Sequence, residues 1–201
     1  MTGVTGLILA GGLGRRMGSV DKGLVAFNGR PMVDSVIERL QPQVDELLIN
    51  ANRNLEAYGR FGFRVVPDQV EGFAGPLAGL ERGLAEAAHA LIVTTPCDSP
   101  FLPLDLVARL RFALESHRAS LAVAKTGTQP HPVFCLARRS LHEHLRAFLF
   151  NGGRKIDAWY ATLDSVEVDF DDEAEAFANI NTKSELDELE QADQSPGAQR
   201  R

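Results

Sequence analysis

The stretch LILAGGLGRRMGSVDKGL, residues 7–24, decides the fold of this 201-residue chain and indicates its chemistry. An apolar run ends at Leu9, and glycines then stand at positions 11, 12, 14 and 18. Glycine lets backbone N–H groups approach phosphate oxygens closely, and it adopts positive φ at no steric cost. Arg15, Arg16 and Lys22 supply the positive charge that a polyphosphate needs. The stretch therefore predicts a nucleoside triphosphate site directly after a first strand.

Two common phosphate-binding templates do not describe this stretch. The dinucleotide fingerprint is G-x-G-x-x-G, whereas Gly12, Gly14 and Gly18 are spaced as G-x-G-x-x-x-G. A Walker loop needs Gly-Lys followed by Ser or Thr, but Lys22 is preceded by Asp and followed by Gly. The alternative to a nucleotide site is a glycine-rich connector with solvated basic residues. The number of donors in so short a stretch favours the nucleotide site.

Composition excludes several classes of protein. A hydrophobic content of 44% fits one domain with a sizeable core. The net charge of −6, from 27 acidic residues against 21 Lys and Arg, argues against nucleic-acid binding. Two cysteines cannot form a disulfide framework, and we expect a reduced, cytoplasmic protein. No secretory signal pattern is present and no apolar run approaches the length of about 18 residues that a membrane span needs, so we expect no membrane partner.

Strand and helix patterns alternate along the chain, which predicts a three-layer α/β domain with a mostly parallel central sheet. Residues 1–190 are expected to form this single domain, and the polar residues 191–201 a disordered tail. We predict strands at residues 6–10, 46–50, 63–66, 90–94, 120–124, 133–137 and 166–170. We predict helices at residues 31–40, 76–88, 104–116, 140–150 and 154–163, and a last helix that begins at Thr182.

Polar residues or glycines follow four successive predicted strands. They are Gly11 and Gly12, then Asn50, then Asp68, then Asp98. Ligands of an open α/β sheet bind beyond the carboxyl ends of its strands. We therefore expect these residues to line one binding edge, with Asn50 and Asp68 as contacts to a nucleoside.

Asp98 is the strongest single candidate for a metal-binding or catalytic role. It follows a buried strand and is bracketed by Pro96 and Pro100, which stiffen the turn. A carboxylate there would hold Mg²⁺ while triphosphate oxygens complete the octahedron. The alternative is an aspartate that caps a helix or closes a turn. Lys22 is expected to reach the triphosphate and Arg16 to neutralise departing pyrophosphate, because nucleotidyl transfer depends on positioning and charge stabilisation.

The chain resembles the nucleotidyltransferases that begin LAGGxxxRMGxxDK, and within them the molybdenum cofactor guanylyltransferases of the MobA family. The opening motif matches at residues 9–12, 16–18 and 21–22 without a gap. The resemblance covers all but the last dozen residues and implies a Rossmann-like nucleotidyltransferase domain. The further motifs, in order, are INANR (49–53), VPD (66–68), GPLAGL (75–80), PCDSPFLP (96–103), HP (131–132) and NINT (179–182).

The resemblance implies a Mg²⁺-dependent transfer of GMP from GTP to the terminal phosphate of molybdenum-molybdopterin. The products would be molybdopterin guanine dinucleotide and pyrophosphate, and the partners would include cofactor biosynthesis proteins and recipient apo-oxidoreductases. Catalysis is implied for Arg16, Lys22 and Asp98, with the metal at Asp98. The implied GTP-binding residues are Leu9, Ala10, Gly11, Gly12, Lys22, Asn50, Asp68 and Asp98.

Four residues of the C-terminal third are candidates for binding the pterin substrate. Asn179 and Asn181 offer amides that pair with the donor and acceptor edge of a pterin. Arg154 and Lys155 would hold its terminal phosphate. The alternatives are helix capping by Asn181 and a solvated face for the basic pair. His131 fits a site or a structural role equally.

Three other functions remain open from the sequence. A relative of the same fold would use CTP with the same pterin, or would act on a sugar phosphate. A non-catalytic adaptor would bind GTP or the pterin and release no pyrophosphate. The presence of both Lys22 and Asp98 favours an enzyme over an adaptor.

Overall fold

The computed structural model describes residues 3–10, 21–69, 75–177, 180 and 185–186. Its strands are β1 (Val4–Leu9), β2 (Ala26–Phe27), β3 (Arg30–Pro31), β4 (Glu46–Asn50), β5 (Arg64–Val66), β6 (Leu91–Pro96), β7 (Leu121–Thr126), β8 (Gln129–Arg138) and β9 (Ser165–Asp169). Its α-helices are α1 (Met32–Leu40), α2 (Leu55–Gly59), α3 (Pro76–Glu86), α4 (Leu106–Ser116), α5 (His142–Phe150) and α6 (Ile156–Tyr160). The helix predicted from Thr182 and the tail at 191–201 lie outside these ranges, apart from residues 185–186.

A seven-stranded sheet runs through the described part of the chain in the order β5-β4-β1-β6-β8-β7-β9. Neighbouring strands are parallel from β5 to β6, and β7 is parallel to β9. Strand β8 is antiparallel to both of its neighbours, β6 and β7. The prediction of a mostly parallel sheet is confirmed.

Helices cover both faces of the sheet, which confirms the three layers. Apolar residues of α1 recur at helical spacing, and Val33, Val36 and Leu40 are fully buried against one face together with residues of α4. The other face buries α3, α5 and α6, including the fully buried Trp159. Each fully buried Leu or Val side chain contributes about 1.5–3 kcal/mol relative to an exposed one, so these two layers hold the sheet edge in place.

The predicted elements up to residue 170 all overlap observed ones, but a short hairpin, the short helix α2 and the 3₁₀ turns were not predicted. Strands β2 and β3 form a hairpin in which Phe27 pairs with Arg30. Its two-residue turn, Asn28-Gly29, has φ of 50° and 77°, as the mirror-image hairpin turns require. The Asn-Gly pair is a known sequence signal for such a turn and was overlooked. Helix α2, the second omission, is only five residues long.

The carboxyl ends of four parallel strands lie side by side, as the sequence predicted. Backbone hydrogen bonds extend the pairing past the end of β1: Ala10 N–H donates to Asn50 O (2.8 Å) and Cys97 N–H donates to Leu9 O (3.2 Å). The residues that follow β4, β1 and β6 are thereby held at fixed positions along one edge. This edge carries the candidate site.

Candidate active site

Lys22 and Asp98 form an ion pair at the middle of this edge. Asp98 follows β6, the central strand of the sheet, and Lys22 begins a 3₁₀ turn directly after the glycine-rich stretch. Lys22 Nζ lies 3.0 Å from Asp98 Oδ2, and the two side chains are 20% and 12% exposed. Partial shelter from water strengthens a charge interaction relative to a surface pair. The pair joins two of the three residues that the sequence analysis places in catalysis; the third, Arg16, lies outside the described residues.

The backbone of Asp98 is also fixed from the C-terminal part of the chain. Ile180 N–H donates to the Asp98 carbonyl at 3.3 Å. The Ile180 side chain is fully buried, in a small cluster with Phe27, Met32 and Leu186. Ile180 is the described residue of the NINT motif, so the chain at this point returns to the end of β6.

The residue before Lys22 is held by helix α2. Tyr58 Oη donates to Asp21 Oδ1 at 2.5 Å, and Asn54 Nδ2 donates to Asp21 Oδ2 at 3.0 Å. Tyr58 is fully buried, and burial raises the pKa of its phenol well above the usual value, so the hydroxyl stays a donor at neutral pH. A Cβ on Gly23 would lie 2.6 Å from Tyr58 Oη, closer than side-chain carbons approach. The turn that carries Lys22 is therefore packed tightly onto α2.

Two asparagines hold the carboxylate of Asp68. Asn50 Nδ2 donates to Asp68 Oδ1 (2.8 Å) and to the Val66 carbonyl (2.9 Å). Asn52 Nδ2 donates to Asp68 Oδ2 (2.8 Å), while Asn52 Oδ1 accepts from Asp68 N–H (2.8 Å). Both carboxylate oxygens of Asp68 thus have an amide donor. Asn52 is a residue of the site that the sequence analysis did not single out, although it lies in the INANR motif.

The Asn50 side chain was expected to face a nucleoside, but the structure buries it and pairs its amide with oxygen atoms of the protein. Asn50 is 3% exposed, and its Nδ2 group already donates to two oxygen atoms of the protein. Its Oδ1 faces helix α3, where a Cβ on Gly79 would collide with it. Gly79 therefore permits α3 to pack against the end of β4. Asn50 orients Asp68, and its direct contact with a nucleotide stays a prediction.

Other predicted nucleotide contacts are partly engaged within the protein or lie outside the described ranges. The Leu9 carbonyl and the Ala10 N–H are used by the neighbouring strands. Gly11, Gly12 and Arg16 are not among the described residues, and neither are Asn179 and Asn181 of the predicted pterin site. Their roles remain predictions.

The basic pair at the start of α6 has local interactions. Arg154 Nη1 donates to the carbonyls of Leu149 (2.8 Å) and Gly153 (2.7 Å), where a guanidinium complements the C-terminal end of α5. Lys155 is exposed and precedes the first residue of α6. Arg154 thus has local backbone partners and Lys155 lies at the surface, and their contact with the pterin phosphate stays a prediction.

His131 lies on β8 within an aromatic cluster. Its ring stacks on Phe177, with centroids 4.7 Å apart and planes at 21°, and stands edge-on to Phe134. His131 Nε2 is 2.8 Å from Thr126 Oγ1. Burial lowers the pKa of the imidazole, which favours its neutral form. These contacts tie β8 to the segment that ends at Phe177, and a role of His131 in the site stays untested.

Asp98 has the chemistry of a one-carboxylate magnesium site. Among the described residues no group of three or more His, Cys, Asp or Glu side chains could hold a metal without substrate. Mg²⁺ is commonly bound by one or two carboxylates while substrate phosphates and waters supply its remaining ligands. Within the same ranges the one hydrogen-bonding partner of the Asp98 carboxylate is Lys22, through Oδ2. Asp98 Oδ1 is thus the oxygen that a metal could use, and the metal itself stays a prediction.

The parallel strand ends and the Lys22–Asp98 pair beyond the central strand form an edge suited to binding a polyphosphate, and the comparisons with known proteins place the chain among the nucleotidyltransferases. Residues 6–166 match the sequence model of the MobA-like NTP transferase domain, and the chain belongs to that family. None of the helices in the described ranges is both long and apolar enough to cross a membrane.

Curated relatives match nearly the whole chain. A protein of Ralstonia nicotianae named molybdenum cofactor guanylyltransferase is 54% identical over 195 residues, which are 92% of this chain and 95% of the relative. A protein of the same name from Shewanella halifaxensis is 48% identical, with 94% of each chain covered.

Solved structures support the fold. Molybdopterin-guanine dinucleotide biosynthesis protein A of Archaeoglobus fulgidus superposes with a TM-score of 0.79 at 24% identity, covering 94% of this chain and 97% of the other. A 4-diphosphocytidyl-2C-methyl-D-erythritol synthase of Anaerococcus prevotii gives a TM-score of 0.74 at 12% identity, covering 96% and 99%. At these identities the likeness concerns the fold alone.

Proposed function

We propose that this protein transfers GMP from GTP to the terminal phosphate of molybdenum-molybdopterin and releases pyrophosphate. The observation that carries the proposal is the Lys22–Asp98 pair at the edge where four strand ends meet. The name shared by relatives at about half identity over nearly the whole chain supports the same acceptor and the same base.

The transfer needs no general base from the protein. An oxygen of the acceptor phosphate forms a bond to the α-phosphorus of GTP, and the bond from that phosphorus to the bridging oxygen of the β-phosphate breaks. The electron pair of the broken bond leaves with pyrophosphate. A phosphate monoester has a second pKa of about 6, so the attacking oxygen is already ionised at pH 7.

Lys22 and Arg16 would stabilise the charge that moves during this step. Lys22 Nζ is held beside the end of β6 by Asp98, and an ammonium at this position binds triphosphate oxygens. Arg16 would neutralise the departing pyrophosphate. We place Mg²⁺ at Asp98, where the bound ion would screen the charge of the triphosphate oxygens.

Asp68 would read the guanine base. Its carboxylate offers only acceptors when ionised, and guanine presents two donors, N1–H and N2–H, on one edge. The amide donors of Asn50 and Asn52 hold this carboxylate at the end of β5. Cytosine and adenine do not present two adjacent donors on one edge, which favours GTP over CTP and ATP.

The acceptor site is proposed to include Asn179, Asn181 and Lys155, with Arg154 beside them. The bond from Ile180 N–H to the Asp98 carbonyl supports a position for the NINT motif near the transferred phosphate. We further propose that the product passes to apo-oxidoreductases through other cofactor biosynthesis proteins. Two free, buried cysteines agree with a cytoplasmic setting for this work.

Pyrophosphate release by the purified protein tests the proposal. The reaction contains Mg²⁺ and molybdenum-loaded molybdopterin with GTP, CTP or ATP, and the Asp98→Ala variant is compared with Asp164→Ala, an exposed aspartate in the turn before β9. Release with GTP, lost only in Asp98→Ala, is the expected result. Release with CTP would shift the assignment to a cytidylyltransferase. Binding of GTP without release would support the adaptor instead.

A further inference from the structure

We infer that Asn52 is a positioning residue that makes the enzyme select guanine, because it fixes the plane of the Asp68 carboxylate. This inference rests on the proposed function, in which Asp68 reads the base. Asn52 would act on base selection through Asp68, without touching the substrate itself.

Two hydrogen bonds join Asn52 to Asp68 and close a ring between them. Asn52 donates to Asp68 Oδ2 and accepts from Asp68 N–H, both at 2.8 Å. The amide group of Asn52 thus binds both the side chain and the backbone of Asp68. The two residues are 16 positions apart in the chain, and the contact joins the segment after β4 to the segment after β5. Asn52 and Asp68 are both half-buried, so the pair is not sealed off from solvent.

Asn52 adds something that Asn50 alone cannot supply. The χ2 torsion of an aspartate is a broad, soft rotation, so one hydrogen bond leaves the carboxylate plane poorly defined. Asn50 holds Oδ1 and Asn52 holds Oδ2, which fixes both ends of the group. An ionised carboxylate has about four acceptor positions, and the two amides use one on each oxygen. One acceptor position on each oxygen remains for a ligand with two adjacent donors.

Inosine triphosphate (ITP) is the probe that separates this role from a general structural one. Its base keeps N1–H and lacks the N2 amino group, so it can use only one of the two acceptor positions. A hydrogen bond to a charged group is worth about 1.5–3 kcal/mol, which corresponds to at least about a tenfold preference for GTP. A merely structural role of Asn52 would lower binding of both nucleotides equally.

The experiment measures the affinity of MgGTP and MgITP by titration calorimetry, and kcat and KM with each nucleotide, for four proteins. These are the wild type, Asn52→Ala, the isosteric Asn52→Asp, and Asn151→Ala as a control at an exposed turn after α5. Asn52→Asp retains an acceptor for Asp68 N–H and replaces the donor by a second carboxylate. We expect the GTP preference to fall from about tenfold toward unity in both Asn52 variants, through KM with kcat nearly unchanged. Asn151→Ala should keep the wild-type ratio.

Failure of the inference and failure of the proposed function give different results. A wild type that transfers GMP but shows the same GTP-to-ITP ratio as Asn52→Ala overturns the role of Asn52. A wild type that does not distinguish the two nucleotides overturns it as well. A wild type that selects GTP through Asn52 in binding, yet releases no pyrophosphate, supports the inference and contradicts the proposed function. A wild type that binds neither nucleotide overturns both.

Discussion

The hydroxyl of Tyr58 donates to Asp21 Oδ1 at 2.5 Å, across 37 positions of the chain, and so ties helix α2 to the residue that precedes Lys22. The ammonium of Lys22 is placed by two contacts of different kinds: its own ion pair with Asp98, and the anchoring of its neighbour by a buried phenol. Preorganised charge is the main means by which nucleotidyl transfer is accelerated. Under the proposed function, residues of α2 would therefore influence catalysis without touching the reacting atoms.

Removal of this hydroxyl should lower both activity and stability. In Tyr58→Phe the Asp21 carboxylate loses its buried donor, and the turn that carries Lys22 becomes less well fixed. We expect kcat/KM to fall by about tenfold, while the free energy of unfolding falls by about 1–2 kcal/mol. Tyr160→Phe, which removes a 2.6 Å bond to the Pro132 carbonyl, is the matched control and should leave kcat/KM unchanged. Equal kinetic effects of the two variants would refute this role of Tyr58.

Substitution of either member of the Lys22–Asp98 pair should strongly impair turnover. Lys22→Ala removes a cation that stabilises the transition state, and we expect a fall in kcat of about 10²–10³-fold in the pyrophosphate assay. Asp98→Asn keeps the shape of the side chain but removes its charge, and should raise the Mg²⁺ concentration needed for half-maximal rate. The control is Lys125→Ala, which removes a lysine whose ion pair is with Asp169, 3.6 Å away. Near-normal turnover by Lys22→Ala or Asp98→Asn would disprove the site.

Close packing of α3 on the sheet should make Gly79 intolerant of any side chain. A Cβ at Gly79 would collide with Asn50 Oδ1 and lie 2.6 Å from a methyl carbon of Leu9. We expect Gly79→Ala to reduce the free energy of unfolding in urea by about 1–3 kcal/mol. Gly59 in α2 has no atom within 4 Å of the corresponding position, so Gly59→Ala should be neutral or slightly stabilising. A neutral Gly79→Ala would show that α3 can move away from β4 at little cost.

His131 should make stability depend on pH in the mildly acidic range. Burial lowers the pKa of His131 below the ordinary value of 6.5, so the folded protein binds this proton less readily than the unfolded chain. The contribution is complete above pH 6.5 and is lost as the pH falls from there toward the folded pKa. Denaturant unfolding at several pH values should show this loss in the wild type and a flatter profile in His131→Gln. If the free energies of unfolding of the wild type and His131→Gln change with pH in parallel, His131 does not cause this pH dependence.

The sequence predicted the binding edge because strand ends follow from local patterns. Buried strands ending at Asn50 and before Asp98 were recognisable from apolar runs, and parallel pairing then brought their ends together. Tertiary contacts were not predictable in this way. The bonds of Asn52 to Asp68 and of Tyr58 to Asp21 join segments whose relative placement depends on the packing of the whole domain.

Local signals also had limits. Asn50 resembles a ligand-facing asparagine in sequence, because nothing in the neighbouring letters shows that Val66 and Asp68 take both hydrogens of its amide. The Asn28-Gly29 hairpin was within reach of sequence analysis, since its turn residues are diagnostic. Features determined by a few adjacent residues can be predicted from the sequence, whereas features determined by distant partners cannot.

The hydrogen bond from Ile180 N–H to the Asp98 carbonyl couples the backbone at the end of β6 to the backbone of the NINT motif. Under the proposed function, the nucleotide and its metal act on the Asp98 side of this bond, and the acceptor on the Ile180 side. A substrate that stabilises this hydrogen bond from one side favours binding of the other substrate on the opposite side. Thermodynamic linkage makes the effect equal in both directions. Binding of the two substrates would then be cooperative. GTP would raise the affinity for the pterin by the same factor as the pterin raises the affinity for GTP.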